Sequence, residues 1–162
     1  MRLVLYQPDI PPNVGTLLRL GACLGVPVDV IEPCGFPFGD KAMRRAALDY
    51  GSPAEVTRHK SWDQFLTQKS GTGRVVLLST KADLCYTDFR FLANDILMVG
   101  RETAGVPDIV WDNTDAQVTV PMVPEVRSLN VATAAAMVLG EALRQTGLLQ
   151  TAASPLIAST AP

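Results

Sequence analysis

An α/β fold with a parallel sheet is predicted for this chain by two observations. Short runs of β-type residues alternate with stretches of helical periodicity, so the strands are joined by helical crossovers, the connection that parallel strands need. Two of the runs, Arg74–Ser79 and Asp95–Val99, are almost continuously apolar, as strands buried on both faces must be. In order, Arg2–Tyr6 reads as the first strand. An amphipathic helix over about Asn13–Leu24 follows the turn QPDIPPN, with Val14, Leu17, Leu18 and Leu24 apolar. Val28–Ile31 is a second strand, Asp40–Leu48 a helix with a basic face, and Glu55–Thr57 a short strand. Ser61 and Gln64 stand at capping-box spacing and open a helix to Gln68. After the two apolar strands come a short helix over Pro107–Asn113, begun by proline, a last strand over Gln117–Val120 and a long Ala-rich helix over Asn130–Thr146.

The 162 residues suit one domain, expected over 1–150. The remainder, 151–162, is Ala, Ser, Thr and Pro without a periodic pattern and is expected to be a flexible tail. Apolar residues make up 48% and charged residues 19%, with a formal net charge of −2. That balance is globular and excludes a strongly basic nucleic-acid coat, though not a local basic patch. No apolar run is long enough for a membrane-spanning helix. Cys23, Cys34 and Cys85 are an odd, widely spaced set without a CxxC, which suits a reducing cytoplasm. His59 is the only histidine. A zinc site or a histidine-dependent triad would have to run through it, so no metal and no histidine base are expected.

The familiar glycine fingerprints for nucleotides, GxGxxG after the first strand and GxxxxGK[ST], are missing. Three other segments carry chemical potential. In PPNVGTLLR, Asn13 stands where a helix N-cap would, Gly15 lies in the first turn and Arg19 follows two turns on. Such an arrangement either grips a phosphate or is a capped surface helix with a solvated arginine. MVGRETAGVP follows a buried strand and holds Gly100, Glu102 and Gly105. Loops at the carboxyl ends of parallel strands are where α/β proteins place ligands, although a tight turn with an exposed acid has the same pattern. In TVPMVPEVRSLN a strand ends at Pro121, and Ser128 and Asn130 introduce the final helix, as N-caps commonly do.

In order, spacing and secondary structure these segments resemble the three motifs of the SpoU branch of the SPOUT methyltransferases. IPPNVG, IEPCGFPFGDKAMRRAALDY, VTRH and VPMVPEVRS are similar to the minimal bacterial tRNA 2'-O-methyltransferases that act on the wobble pyrimidine, position 34, of leucine tRNAs. The resemblance spans about Arg2–Thr146. It implies a parallel-sheet SPOUT fold with a C-terminal trefoil knot built from Leu77–Thr80, Val99–Gly105 and Val118–Asn130. It implies S-adenosyl-L-methionine as cofactor, with S-adenosyl-L-homocysteine as product, contacted by Leu78, Gly100, Val120 and Ser128. Arg19, Asn13, Glu102, Ser128 and Asn130 are the implied catalytic set. Arg19 would hold a phosphate and stabilise a developing alkoxide, Asn13 and Ser128 would orient the ribose or the loops, and Glu102 would brace the second motif. The implied partners are tRNA and a second copy of the chain in a homodimer joined through the first and last helices. Lys41, Arg44 and Arg45 share one helical face, and with Arg58, His59 and Lys60 they form the basic cluster expected to meet RNA, Arg58 being its contact beyond the helix. Three positions depart from the usual pattern: Arg101 replaces a proline, Ala104 an arginine, and Gly140 a tyrosine.

Overall fold

A computed structural model of the chain describes residues 1–37, 39, 55–69 and 73–149. The helix expected over 40–48 and the tail expected over 151–162 lie outside these residues. The described elements are β1 (Arg2–Tyr6), α1 (Pro11–Leu24), β2 (Val28–Ile31), β3 (Val56–His59), α2 (Trp62–Lys69), β4 (Val75–Leu78), β5 (Ile96–Val99), α3 (Asp108–Trp111), β6 (Ala116–Val118) and α4 (Val131–Thr146). The six strands form one sheet in the order β3-β2-β1-β5-β4-β6, and every pairing is parallel.

Side chains of successive strand residues point to opposite faces, and both faces of this sheet are buried. Leu3 and Leu5 of β1 join Val28, Val30, Leu97 and Val99 in a core covered by Val14, Leu17 and Leu18 of α1 and by Ala135, Val138, Leu139 and Ala142 of α4. Val4 and Tyr6 point the other way, joining Ile31, Val75, Leu77, Ile96 and Met98 beneath Trp62 and Phe65 of α2 and Val110 of α3. Small residues of α4 let it pack closely on the sheet: Ala135 and Ala142 are fully covered within this chain.

Two acids lie inside this apolar frame. Asp29 on β2 accepts Arg2 Nε at 2.7 Å and Arg2 Nη2 at 3.2 Å, and its Oδ1 sits 2.7 Å from His59 Nε2. His59 is only 3% exposed, so it leaves the expected basic cluster: its partner is a buried carboxylate 30 positions away, not solvent or RNA. Asp95, expected to begin a strand, instead precedes β5. Its carboxylate accepts Arg74 Nε at 2.9 Å, Arg74 Nη2 at 2.7 Å and the Leu92 N–H at 2.8 Å.

Other boundaries move by a residue or two. The Ser61 cap is present, with Oγ accepting the Gln64 N–H at 3.2 Å, while Gln64 Oε1 accepts the Lys60 N–H at 2.5 Å. Replacing Asp95 by alanine leaves the Arg74 guanidinium and the Leu92 N–H without their acceptor. We expect Asp95→Ala to cost about 3 kcal/mol, read as a lowered urea midpoint; an unchanged midpoint would contradict a structural role for this ion pair.

Candidate active site

The strand order reverses at β1. The chain runs outward through β2 and β3, then returns to place β5, β4 and β6 on the other side. Ligands of open α/β sheets bind outside the carboxyl ends of the strands at such a reversal. Here a cleft of about 640 Å³ opens at the carboxyl ends of β4, β5 and β6 and is bordered by the starts of α1 and α4.

The start of α1 differs from the sequence expectation. Pro11 and Pro12 occupy its first two positions and Ile10 is the N-cap, with no side-chain cap. Proline has the helical φ already and lacks an N–H that the first turn would leave unused. The helix therefore begins before Asn13, and the Asn13 side chain is released from capping. Its Nδ2 donates to Glu102 Oε1 at 3.0 Å, and its Oδ1 accepts from Asn130 Nδ2 at 2.9 Å. Asn130 does cap α4 as expected: its Oδ1 accepts the N–H groups of Ala132 at 2.9 Å and Thr133 at 3.3 Å. One asparagine thus joins the loop after β5 to the N-terminus of α4.

The Gly100–Gly105 loop closes on itself. The Arg101 N–H donates to the Gly105 carbonyl at 3.0 Å and the Gly105 N–H to the Arg101 carbonyl at 2.9 Å. Gly105 has φ +67°, and a Cβ on Gly100 would lie 2.8 Å from the Gly105 carbonyl carbon. Both positions therefore require glycine. Arg101, the departure from proline, is exposed and donates Nη2 to Gln7 Oε1 at 2.5 Å.

Asn13, Leu78, Gly100, Glu102, Val120, Ser128 and Asn130 all border the cleft. Arg19 does not. It is exposed on α1, six residues and about 9 Å along the helix axis from Asn13. Arg58 lies on the edge strand β3, where its Nε donates to Glu32 Oε1 at 2.9 Å. Lys41, Arg44 and Arg45 fall outside the described residues. Sequence reasoning missed Lys81 and Arg127, cations on the cleft border, and Trp111. It also missed Asp9, whose N–H donates to Glu102 Oε2 at 3.1 Å.

The carboxyls of Asp9 and Glu102 face each other. Burial, and then the neighbouring Asp9, push Glu102 above the ordinary glutamate range. Asp9 is held below its ordinary range by its hydrogen bonds with Glu102 and Thr103. The cleft offers a partly apolar floor at Leu77, Leu78 and Val120, loop backbone groups, and one carboxyl whose charge depends on pH. Among the described residues no group of histidine, cysteine and acidic side chains could hold a metal ion.

Fold and cleft define a parallel α/β protein whose candidate site gathers loops from three neighbouring strand ends. The SpoU rRNA Methylase family matches residues 1–140, and the chain belongs to that family. A tRNA (cytidine(34)-2'-O)-methyltransferase of Beijerinckia indica is 58% identical over 148 residues, covering 91% of this chain and 92% of the relative. The protein of the same name from Escherichia coli K12 is 40% identical over 149 residues, covering 91% and 94%. A solved structure concerned with 2'-OH methylation of C/U34 on tRNA superposes with a TM-score of 0.81 at 37% identity, over 89% of this chain and 94% of that one. The SpoU methyltransferase AviRb from Streptomyces viridochromogenes, in complex with AdoMet, superposes with a TM-score of 0.77 at 26% identity, over 90% and 60%. The six-stranded parallel sheet is that of the SPOUT methyltransferases.

The raised Glu102 makes stability depend on pH. Between the ordinary glutamate value of 4.5 and its raised value, the folded protein keeps a proton that the unfolded chain has lost. Its stabilising contribution is complete below that window and disappears as pH rises through it. We expect Glu102→Gln to gain stability relative to the native protein as pH goes from 4.5 towards 7, measured by urea unfolding. A stability difference independent of pH would contradict the assignment.

Proposed function

We propose that the chain is an S-adenosyl-L-methionine-dependent methyltransferase acting on the ribose 2'-hydroxyl of nucleotide 34, cytidine or modified uridine, in leucine tRNAs. The observation that carries this reading is the Glu102–Asn13–Asn130 connection, which brings all three motif segments to one cleft. The names of the 58% and 40% identical relatives support the position on tRNA.

The cleft suits the cofactor. Its volume lies in the range of small-molecule sites, about 300–1,000 Å³. Leu78 and Val120 offer an apolar slot for an adenine, Gly100 and Ser128 stand beside it, and Glu102, once ionised, offers a negative partner for a sulfonium. When bound, S-adenosylmethionine supplies a methyl group already made electrophilic by its positive sulfur, and S-adenosylhomocysteine is left. The chain's own residues align the nucleophile. In this reading Arg19 grips an RNA phosphate and stabilises the oxygen as its proton departs. Its permanent charge suits that role better than the role of base. Asn13, Ser128 and Asn130 hold the ribose and the loops in register. No metal takes part.

The family's trefoil knot belongs to the same reading. It is supported by the bonds that hold 79–86 against 118–119: the Ser79 N–H donates to Val118 O at 2.9 Å, Thr119 N–H to Leu84 O at 2.8 Å, and Tyr86 N–H to Thr119 O at 2.9 Å. A homodimer is supported by the exposed apolar side chains of Ile10, Leu129 and Met137 at the neighbouring ends and faces of α1 and α4. Gly140, one turn beyond Met137, has open space where a Cβ would stand. Lys41, Arg44, Arg45 and Arg58 are the proposed contacts to the tRNA backbone, with a salt-sensitive affinity. The reading places the protein in the cytoplasm. Among the described residues no helix is long and apolar enough to cross a membrane.

Incubation with labelled S-adenosylmethionine and unmodified tRNA tests this directly. We expect label on the 2'-oxygen of nucleotide 34 of leucine tRNAs. Arg19→Ala is expected to lose at least about 100-fold in transfer while its cofactor affinity stays within a few-fold. Label at another nucleotide, or native turnover by Arg19→Ala, would overturn the corresponding part.

A further inference from the structure

We propose that Asp9 is a positioning residue of this site: its carboxylate holds the Gly100–Gly105 loop as the wall of the cleft, and the loop after β2 holds Asp9 in turn through Gly35. The proposal rests on the reading of the cleft as the methyl-donor site.

Asp9 and Glu102 bind reciprocally. The Asp9 N–H donates to Glu102 Oε2 at 3.1 Å, and the Glu102 N–H donates to Asp9 Oδ1 at 3.1 Å. The second oxygen, Asp9 Oδ2, accepts the Thr103 hydroxyl. Two carboxylates brought together repel each other unless donors separate them. Here each receives the other residue's backbone N–H. Three of the loop's bonds, through the Glu102 carboxylate, the Glu102 N–H and the Thr103 hydroxyl, involve Asp9, so the loop's position is set from the exit of β1. Gln7, two residues earlier, takes the Arg101 end of the same loop. The whole exit of β1 therefore grips the whole exit of β5.

Behind Asp9 lies Gly35. Its N–H donates to Pro8 O at 2.9 Å, and a Cβ placed on it would lie 2.6 Å from Asp9 Cβ and 2.9 Å from Asp9 Cα. No side chain fits between the two segments. The exits of β2, β1 and β5 form a stack, Gly35 against Asp9 and Asp9 against Glu102 and Thr103. A push at Gly35, outside the cleft, reaches the wall of the cleft through Asp9.

Asp9→Ala, Asp9→Asn and Gly35→Ala test this with two readouts. The first, hydrogen exchange at the Glu102 and Gly105 amides, needs neither cofactor nor tRNA. The second is the KM for S-adenosylmethionine against the KM for tRNA. Asp9→Ala is expected to speed exchange at those amides about tenfold relative to amides of β1 and β5. It is also expected to raise the cofactor KM by a similar factor with the tRNA KM unchanged. Asp9→Asn, whose Oδ1 still accepts the Glu102 N–H, stays within about threefold of the native protein on both readouts, as one retained acceptor predicts. Gly35→Ala reproduces the alanine variant, and it carries the test together with Thr103→Val if Asp9→Ala fails to fold. Folded variants with native loop exchange and native cofactor KM would overturn the inference while native methyl transfer still stood. Faster loop exchange in a protein that transfers no methyl group would uphold the Asp9 anchor and remove the functional reading.

Discussion

The amide of Asn13 gives with one atom and takes with the other, and the cleft depends on that double use. Its nitrogen donates to Glu102 in the loop after β5, and its oxygen accepts from Asn130 at the start of α4. Each of those partners has a second task. Glu102 accepts the Asp9 N–H, and Asn130 satisfies two N–H groups of the α4 first turn. A hydrogen-bonded line thus runs from the exit of β1 through the loop after β5 and the start of α1 to the final helix. Asp or Leu at position 13 could not supply both a donor and an acceptor.

The frame beneath this line is stiff for an ordinary reason. Both faces of the sheet are apolar, and α1 and α4 share one face while α2 and α3 cover the other. Asp29, with Arg2 and His59 around it, and Asp95, with Arg74, are buried near the amino ends of β2 and β5. The ion pairs of Arg2 with Asp29 and of Arg74 with Asp95 thus lie at the end of the strands opposite the cleft. The loops at the carboxyl ends are held instead by the bonds of Asn13 and Asp9.

Much of the fold was legible because its signals are local. Apolar runs marked β4 and β5, alternating helix stretches implied parallel strands, and Ser61 and Asn130 announced the caps they make. The errors also have local causes. Asn13 looked like an N-cap because asparagine often is one, but Pro11 and Pro12 start the helix earlier and free the amide for tertiary bonds. His59 looked like part of a basic run because Arg58 and Lys60 flank it. In a strand, neighbours face opposite ways, and its ring turns inward to Asp29. Arg74 and Asp95, or Asp9 and Glu102, are ion-pair and hydrogen-bond partners only once the sheet is assembled, and no spacing rule pairs them beforehand. Seven of the eight residues expected at the catalytic and cofactor positions border one cleft, because the three motifs follow β1, β5 and β6, whose carboxyl ends lie on one edge of the sheet within a span of four strands. Arg19 is the exception: it lies further along α1, exposed and off the cleft border.

A crystal structure with S-adenosylmethionine bound tests the convergence of these loops most directly. The account predicts the adenine between Leu78 and Val120 and the sulfonium on the Glu102 side, with the Asn13 bonds to Glu102 and Asn130 intact. Density for the donor elsewhere on the chain, or an Asn13 amide turned away from an occupied cleft, would contradict it.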